Sequence, residues 1–219
     1  MKPDYDRAAT AAMRLLIDNA VTETPVIPLP FLLAMPDVRV ISFARMANEA
    51  YTERDELIPL FVANQDAATF RLGMDIDNVK YVVVYNARLP FEIIWRGIAR
   101  ELGHIVLGHD GVTRSSAVRR AEAMCFAHHL LSPRPILHML REANALTMNT
   151  LSDTTGCIDE CVYDMQEIPG AYVPPEINRQ VRSQFERGIG EYIRFHAASH
   201  KKDRSPVVDL GTFMDGYEE

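Results

Sequence analysis

Residues 98–109 read I-A-R-E-L-G-H-I-V-L-G-H, and this stretch decides the fold because it fixes both the period and the chemistry of one helix. Its polar side carries Arg100, Glu101 and His104, since residues three and four apart on a helix are neighbours. A glycine follows, as is common just past helix ends, so we predict a helix over residues 91–107. The opposite, apolar side is formed by Ile94, Trp95, Ile98, Leu102, Ile105 and Val106.

The Glu-x-x-His spacing is one residue short of H-E-x-x-H, the helical motif of zinc peptidases. In that motif two histidines one turn apart hold the metal, and the glutamate deprotonates the metal-bound water. Here Glu101 and His104 match, but Arg100 occupies the position of the first histidine. A guanidinium stays protonated and has no lone pair for a metal. The pattern predicts a hydrolase scaffold whose first metal ligand is replaced by a cation; the alternative is an incidental polar face near a helix end.

A second segment makes the pattern more specific. Residues 119–133 read R-R-A-E-A-M-C-F-A-H-H-L-L-S-P, a predicted helix that ends at Ser-Pro. Together the two segments resemble the ImmA/IrrE family of metallo-endopeptidases, whose motifs run approximately I-A-H-E-L-G-H-x-x-L-G-H and E-A-N-x-F-A-x-x-L-L-x-P. The resemblance is richest over residues 26–133 and weaker beyond them. Met124 departs from it, because the family often has asparagine there.

The resemblance implies a site and a role. Glu101 corresponds to the general base, His104 to the second metal ligand and Glu122 to the acidic third ligand, and we expect the three to converge in one cleft. Arg100 inherits no role. His109 corresponds to a trailing histidine that orients a ligand rather than binding the metal, and it approaches His104 only if the chain turns sharply after the helix. The implied cofactor is zinc. The implied partner or substrate is a protein, a repressor-type transcription regulator.

The resemblance also implies an α+β fold with a zincin-like domain. We expect a small three-stranded sheet flanked by helices within residues 1–133, a helical extension over 134–198 packed on it, and a polar tail over 199–219 that is loosely ordered. The predicted strands cover residues 38–43, 67–72 and 79–85, the last two joined by a turn region at 73–78. Further helices are predicted over residues 4–20, 116–131, 135–143, 147–155, 158–166 and 175–198.

Composition narrows the class of protein. The chain has 219 residues, 47% of them hydrophobic, which is ordinary for a globular domain. Its net charge of −7 argues against a general nucleic-acid-binding surface. The first residues are charged where a secretory signal is apolar, and the longest apolar run, residues 26–35, is broken by prolines, so we expect no membrane segment. Three cysteines cannot complete a disulfide framework, which favours a cytoplasmic location.

Other potential metal ligands have weaker support. Cys157 and Cys161 are four residues apart, which suits half a metal site, but no partner is evident nearby, so two buried reduced thiols are favoured. His128 and His129 follow Glu122 on the same predicted helix. The second of them returns to the face of the glutamate but is displaced by about 10 Å along the axis. We therefore favour a surface or core-edge position over a ligand role for both.

Arg100 also matters through its charge. A unit charge about 4 Å from a divalent cation is repelled by roughly 8 kcal/mol at an effective dielectric constant near 20. We therefore expect Arg100 to pair with Glu122 or Glu101, and zinc to be absent or substoichiometric in the isolated protein.

Three functions stay open: an active zinc endopeptidase, an inactive relative that binds a protein partner, and a DNA-binding regulator. The last has the least support, because the helices of residues 135–166 on which it rests are not basic.

Overall fold

The structure is a computed structural model that describes residues 2–48, 66–76, 78–110, 115–200 and 207–218. It contains two compact units. The sheet unit comprises Ile27–Thr113, and the helical unit comprises Met1–Val26 together with Arg114–Glu219. Within the described ranges, no helix has the length and apolar character needed to cross a lipid bilayer.

The sheet unit contains a three-stranded mixed sheet, so the α+β class and the strand number are confirmed. Its strands are β1 (Val38–Ser42), β2 (Ala67–Ile76) and β3 (Val79–Tyr85), in the order β1-β3-β2. Strand β1 runs parallel to β3, and β2 runs antiparallel to it. The predicted turn region at 73–78 is wrong in its first part, since β2 continues to Ile76. A register shift after Arg71 absorbs the extra residues.

One face of this sheet is buried by a compact apolar core. Among the described residues of this unit the helices are α2 (Leu29–Leu33), α3 (Phe43–Asn48) and α4 (Phe91–Val106), and α4 packs on β2 and β3. The predicted helix over 91–107 is thus confirmed to within one residue. Helix α4 begins directly after Pro90. Its residue Arg100 lies next to the start of β2, where it donates to the carbonyl of Ala67. The core contains Ile41, Phe43, Met46, Val82 and Val84, with Phe70, Leu72 and Val79 packed against it.

The helical unit joins the first helix of the chain to the later ones. Helix α1 (Tyr5–Asp18) begins where the Asp4 carboxylate accepts the N–H of Arg7; it buries three alanines and packs on α5. The last helix packs on both α6 and α1, so the boundary predicted after residue 133 falls inside this unit. The helices after α1 are α5 (Ser116–Leu131), α6 (Arg134–Glu142), α7 (Met148–Thr155), α8 (Asp159–Gln166) and α9 (Pro175–His200).

The C-terminal segment, defined as residues 207–218, is ordered, although we expect a loosely ordered tail over residues 199–219. Leu210 and Phe213 are buried, and a 3-10 helix covers Gly211–Met214. The two buried side chains stabilise the docked segment, because each buries area that stays exposed in the unfolded chain. The basic part of the predicted tail, which includes Lys201, lies outside the described residues.

The three cysteines are buried thiols, as predicted. Cys125 belongs to α5, and its sulfur lies 3.6 Å from Nδ1 of His129. Burial raises the pKa of the Cys125 thiol to about 12. The thiolate is therefore negligible near neutral pH, and Cys125 is a core residue rather than a nucleophile.

Candidate functional site

The polar side of α4 is organised around an ion pair between neighbouring residues. Arg100 Nε and Nη2 lie 3.2 and 2.8 Å from Oε1 of Glu101, so two donors of the guanidinium reach one carboxylate oxygen. Glu101 is only 6% exposed. The pairing with Glu101, one of the two partners expected for Arg100, is present. The residue expected to act as a general base is thus bound to the residue that replaces the first metal ligand.

A second carboxylate completes this cluster, and sequence reasoning missed it. Arg100 Nη2 also lies 2.9 Å from Oδ1 of Asp66 and 2.9 Å from the carbonyl oxygen of Ala67. Gly97, one turn earlier on α4, makes room for Asp66: an added Cβ would stand 2.8 Å from its Cγ. The contact joins residues 34 positions apart without a recognised motif, so the glycine on the helix was the available clue.

The protonation of Glu101 reflects competition between burial and charge. Burial raises the pKa of Glu101 above its ordinary value, and the Arg100 charge opposes this without reversing it. Asp66 adds to the rise because a second negative charge disfavours the ionised form. A general base has to accept a proton from water, and here both Arg100 N–H groups occupy Oε1 of the carboxylate.

The two histidines of the motif lie against each other. The chain turns at Gly108, whose φ of +62° lies in the left-handed region, and the His109 N–H then donates to the His104 carbonyl at 3.0 Å. The Nδ1 atoms of His104 and His109 are 2.9 Å apart, so one ring donates and the other accepts. His109 is 2% exposed and its ring contacts that of His104; its expected role beside a metal ligand stays a prediction.

The residue after His109 anchors this turn to the sheet. The hydroxyl of Tyr81, on β3, donates to Oδ2 of Asp110 at 2.5 Å, and Arg71 Nη1 lies 3.3 Å from the same oxygen. The hydrogen bond from Tyr81 is the largest cause that lowers the pKa of Asp110. The pKa of Tyr81 is raised in turn. The turn that carries His109 is thus fixed to two strands.

We expect the substitution of glycine by alanine to have opposite effects on the free energy of unfolding at Gly108, in the left-handed turn, and at Gly190, in a helix. Gly108→Ala should lower the free energy of unfolding by about 1 kcal/mol, because an L side chain is disfavoured at positive φ. Gly190→Ala, inside α9, should raise it by roughly 0.5–1 kcal/mol through helix propensity. At both positions an added Cβ meets no neighbouring group within 4 Å among the described residues. Urea denaturation measures both changes, and equal effects would contradict a conformational requirement at Gly108.

Glu122, expected as the third ligand, lies in the helical unit on α5. It is buried, and its Oε1 accepts the backbone N–H of Asp4 at 2.8 Å, where α1 begins. A carboxylate in this position also interacts favourably with the positive end of the helix dipole. The convergence of Glu122 with Glu101 and His104 stays a prediction. His128 and His129, on the same helix, are buried in the core of this unit.

The residues that correspond to a catalytic zinc site do not fit the metal. Such sites keep three protein ligands, and here a guanidinium fills the first ligand position. Within the part of the chain that the structure describes, no three or more His, Cys, Asp and Glu side chains are grouped so as to hold a metal ion. Comparison of the chain with protein families, curated proteins and solved structures finds no match. The resemblance of the motifs therefore remains the basis for any functional hypothesis.

Proposed function

We propose that this protein is a relative of ImmA/IrrE-type zinc peptidases that binds a protein partner without hydrolysing it. The observation that carries the proposal is the pair between Arg100 and Glu101. It neutralises the carboxylate that corresponds to the general base and places a cation where the first metal ligand would be. The preferred partner is a repressor-type regulator, as the family resemblance suggests.

The electrostatics of Arg100 support a binding role over catalysis. The guanidinium is 15% exposed and lies between Glu101 and Asp66, so its charge is compensated inside the sheet unit. Removing one member of a buried ion pair costs roughly 3–5 kcal/mol, whereas exposed pairs contribute little. Arg100 thus stabilises the sheet unit through its two ion pairs. We expect such a role for the arginine in a binding protein that has adapted to the loss of its metal.

The edge of the sheet supports a protein partner. In the described residues β2 pairs with β3 along one side, and the order β1-β3-β2 places it at an edge. An extended peptide can add to such an edge through main-chain hydrogen bonds. Arg100 holds the first residue of β2 through the Ala67 carbonyl, so the same side chain fixes the strand beside α4. We propose that the partner binds along β2.

The metal content of the purified protein tests the proposal. We expect zinc well below one equivalent per chain and no cleavage of protein substrates. The motif supplies too few ligands for zinc, and the adjacent cation, Arg100, repels the metal. Elemental analysis and a protease assay with added zinc measure these quantities. One equivalent of zinc that is lost in His104→Ala would overturn the proposal and favour the second candidate, an active endopeptidase.

The partner itself separates binding from hydrolysis. Affinity capture with the full chain as bait, followed by mass spectrometry, identifies the bound protein. Incubating the two purified proteins should leave the partner intact and bound. Fragments that form with wild type but not with Glu101→Gln would indicate that the carboxylate still acts as a base.

A further inference from the structure

The C-terminal segment contacts the helical unit through two histidine–aromatic pairs and through hydrogen bonds from Gln166, Asn178 and Thr212. The ring of Phe213 lies 4.5 Å from that of His129, and the ring of Tyr217 stacks on that of His138 at 3.9 Å. The N–H of Val208 donates to the carbonyl of residue 146 at 3.0 Å. Each aromatic anchor of the segment thus rests on a group that can gain a proton.

The hydrogen bonding of His138 requires a neutral ring. Arg141 Nη2 lies 2.8 Å from its Nδ1. Because a guanidinium has no acceptor, Nδ1 is the acceptor and carries no proton. A second proton on His138 has to go to Nδ1, where it removes this hydrogen bond and places two cations in contact. The stacked Tyr217 ring covers the imidazole face and limits access of water to that charge.

His129 is held neutral in a different way. Its Nδ1 lies 2.9 Å from the Cys125 carbonyl, so Nδ1 carries the proton and donates. Its Nε2 is buried without a hydrogen-bond partner among the described residues. Protonation of Nε2 would therefore bury an unpaired charged N–H beneath Phe213, which is costly unless the segment moves away.

A permanent cation lies beside both histidines. Arg134 is fully buried, and its Nη1 and Nη2 donate to the carbonyl oxygens of Asp215 and Ala171. Burial is the largest cause that lowers the pKa of His138 to about 4, and the charge of Arg141 is the next. Burial is also the largest cause that lowers the pKa of His129 well below its ordinary value, and the charge of Arg134 is the next. The titratable and charged groups around the two rings are Cys125, His128, Arg134, Arg141, Glu142, Tyr217 and Arg182, the last paired with Glu142.

We propose that residues 207–218 are an acid-released strap, docked on the helical unit while His129 and His138 are neutral and undocked when they are protonated. Docking is complete above the ordinary histidine pKa near 6.5 and weakens as pH falls towards the lower value in the docked state. For His138, a pKa of about 4 sets an upper limit of about 30-fold for the weakening at pH 5, because Arg134 and Arg141 lie on the same helix and stay beside the ring after release. Release removes the Asp215 carbonyl from Arg134, which stays bound to the carbonyl of Ala171.

Hydrogen exchange of the full-length protein tests this strap. Peptides that cover residues 207–218 should lose protection between about pH 7.5 and pH 5, after correction for the intrinsic rate, while α1 and α5 keep theirs. Unchanged protection of the segment would overturn the proposal. Simultaneous loss in α1 and α5 would overturn it as well, because acid would then unfold the unit as a whole.

Two variants link the response to the stacked rings. His138→Phe keeps a ring against Tyr217 but cannot be protonated, so its loss of protection on acidification should be smaller than that of wild type, by at most about 30-fold at pH 5. Tyr217→Ala should raise exchange of the segment already at neutral pH and reduce the further gain on acidification. A wild-type response in His138→Phe, or a fully protected segment in Tyr217→Ala, would contradict the assigned mechanism.

Discussion

Arg100→His should raise the affinity of the protein for Zn²⁺ by several orders of magnitude. The substitution removes a charge that would repel a divalent cation by roughly 8 kcal/mol at about 4 Å and an effective dielectric constant near 20. It also supplies an imidazole one helical turn before His104, on the same side of α4. Zinc titration followed by calorimetry or a competing chelator measures the gain.

The matched control is Arg96→His, which makes the same substitution one turn earlier on α4. It leaves Arg100 in place and puts the new ring eight residues from His104, beyond the spacing of a helical chelate. In the Arg100→His background, His104→Ala should abolish the gain. Glu122→Ala in that background tests the expected third ligand.

An unchanged zinc affinity in Arg100→His would favour a different account of the protein. It would mean that the sheet unit has adapted to the arginine, since Asp66 and the Ala67 carbonyl lose their donor in this variant. The account of an enzyme that has lost one ligand would then be abandoned in favour of a dedicated binding protein. A gain in zinc without protease activity would indicate that other positions, Met124 among them, have also departed from catalytic geometry.

The sequence predicts the elements around the site well because their signals are local. The period of α4 comes from apolar side chains three and four apart, and its beginning follows from Pro90. Glu101 is also one of the two partners, with Glu122, that we expect for Arg100, because a charge taken out of water needs an opposite charge beside it. These inferences require no knowledge of which distant segments meet.

Contacts between distant segments are where sequence reasoning fails. Asp66 reaches Arg100 across 34 positions, and Glu122 accepts an N–H from Asp4 across 118. Neither contact has a spacing that a helix or strand imposes. The turn at Gly108 is intermediate: a glycine after a helix predicts it, but the meeting of the two histidine rings depends on backbone angles that the sequence does not specify.

The C-terminal segment shows a different failure, which comes from averaging. The predicted tail of residues 199–219 is polar on average because of its basic first part, and this average conceals the apolar residues of the C-terminal segment. Two of these, Leu210 and Phe213, are buried. A segment can dock through a few side chains when the surface beneath it offers matched rings, as His129 does here. Composition does not report such matches.

Phe213→Ala should accordingly lower the free energy of unfolding by about 3–5 kcal/mol, because it empties a fully buried aromatic site against His129. Phe195→Ala is the matched control: it removes the same ring from α9, where the side chain is 81% exposed, and should change stability by less than about 0.5 kcal/mol. Chemical denaturation near neutral pH measures both. Equal, small effects would show that the C-terminal segment contributes nothing to the stability of the helical unit and that the expectation of a loosely ordered tail was correct.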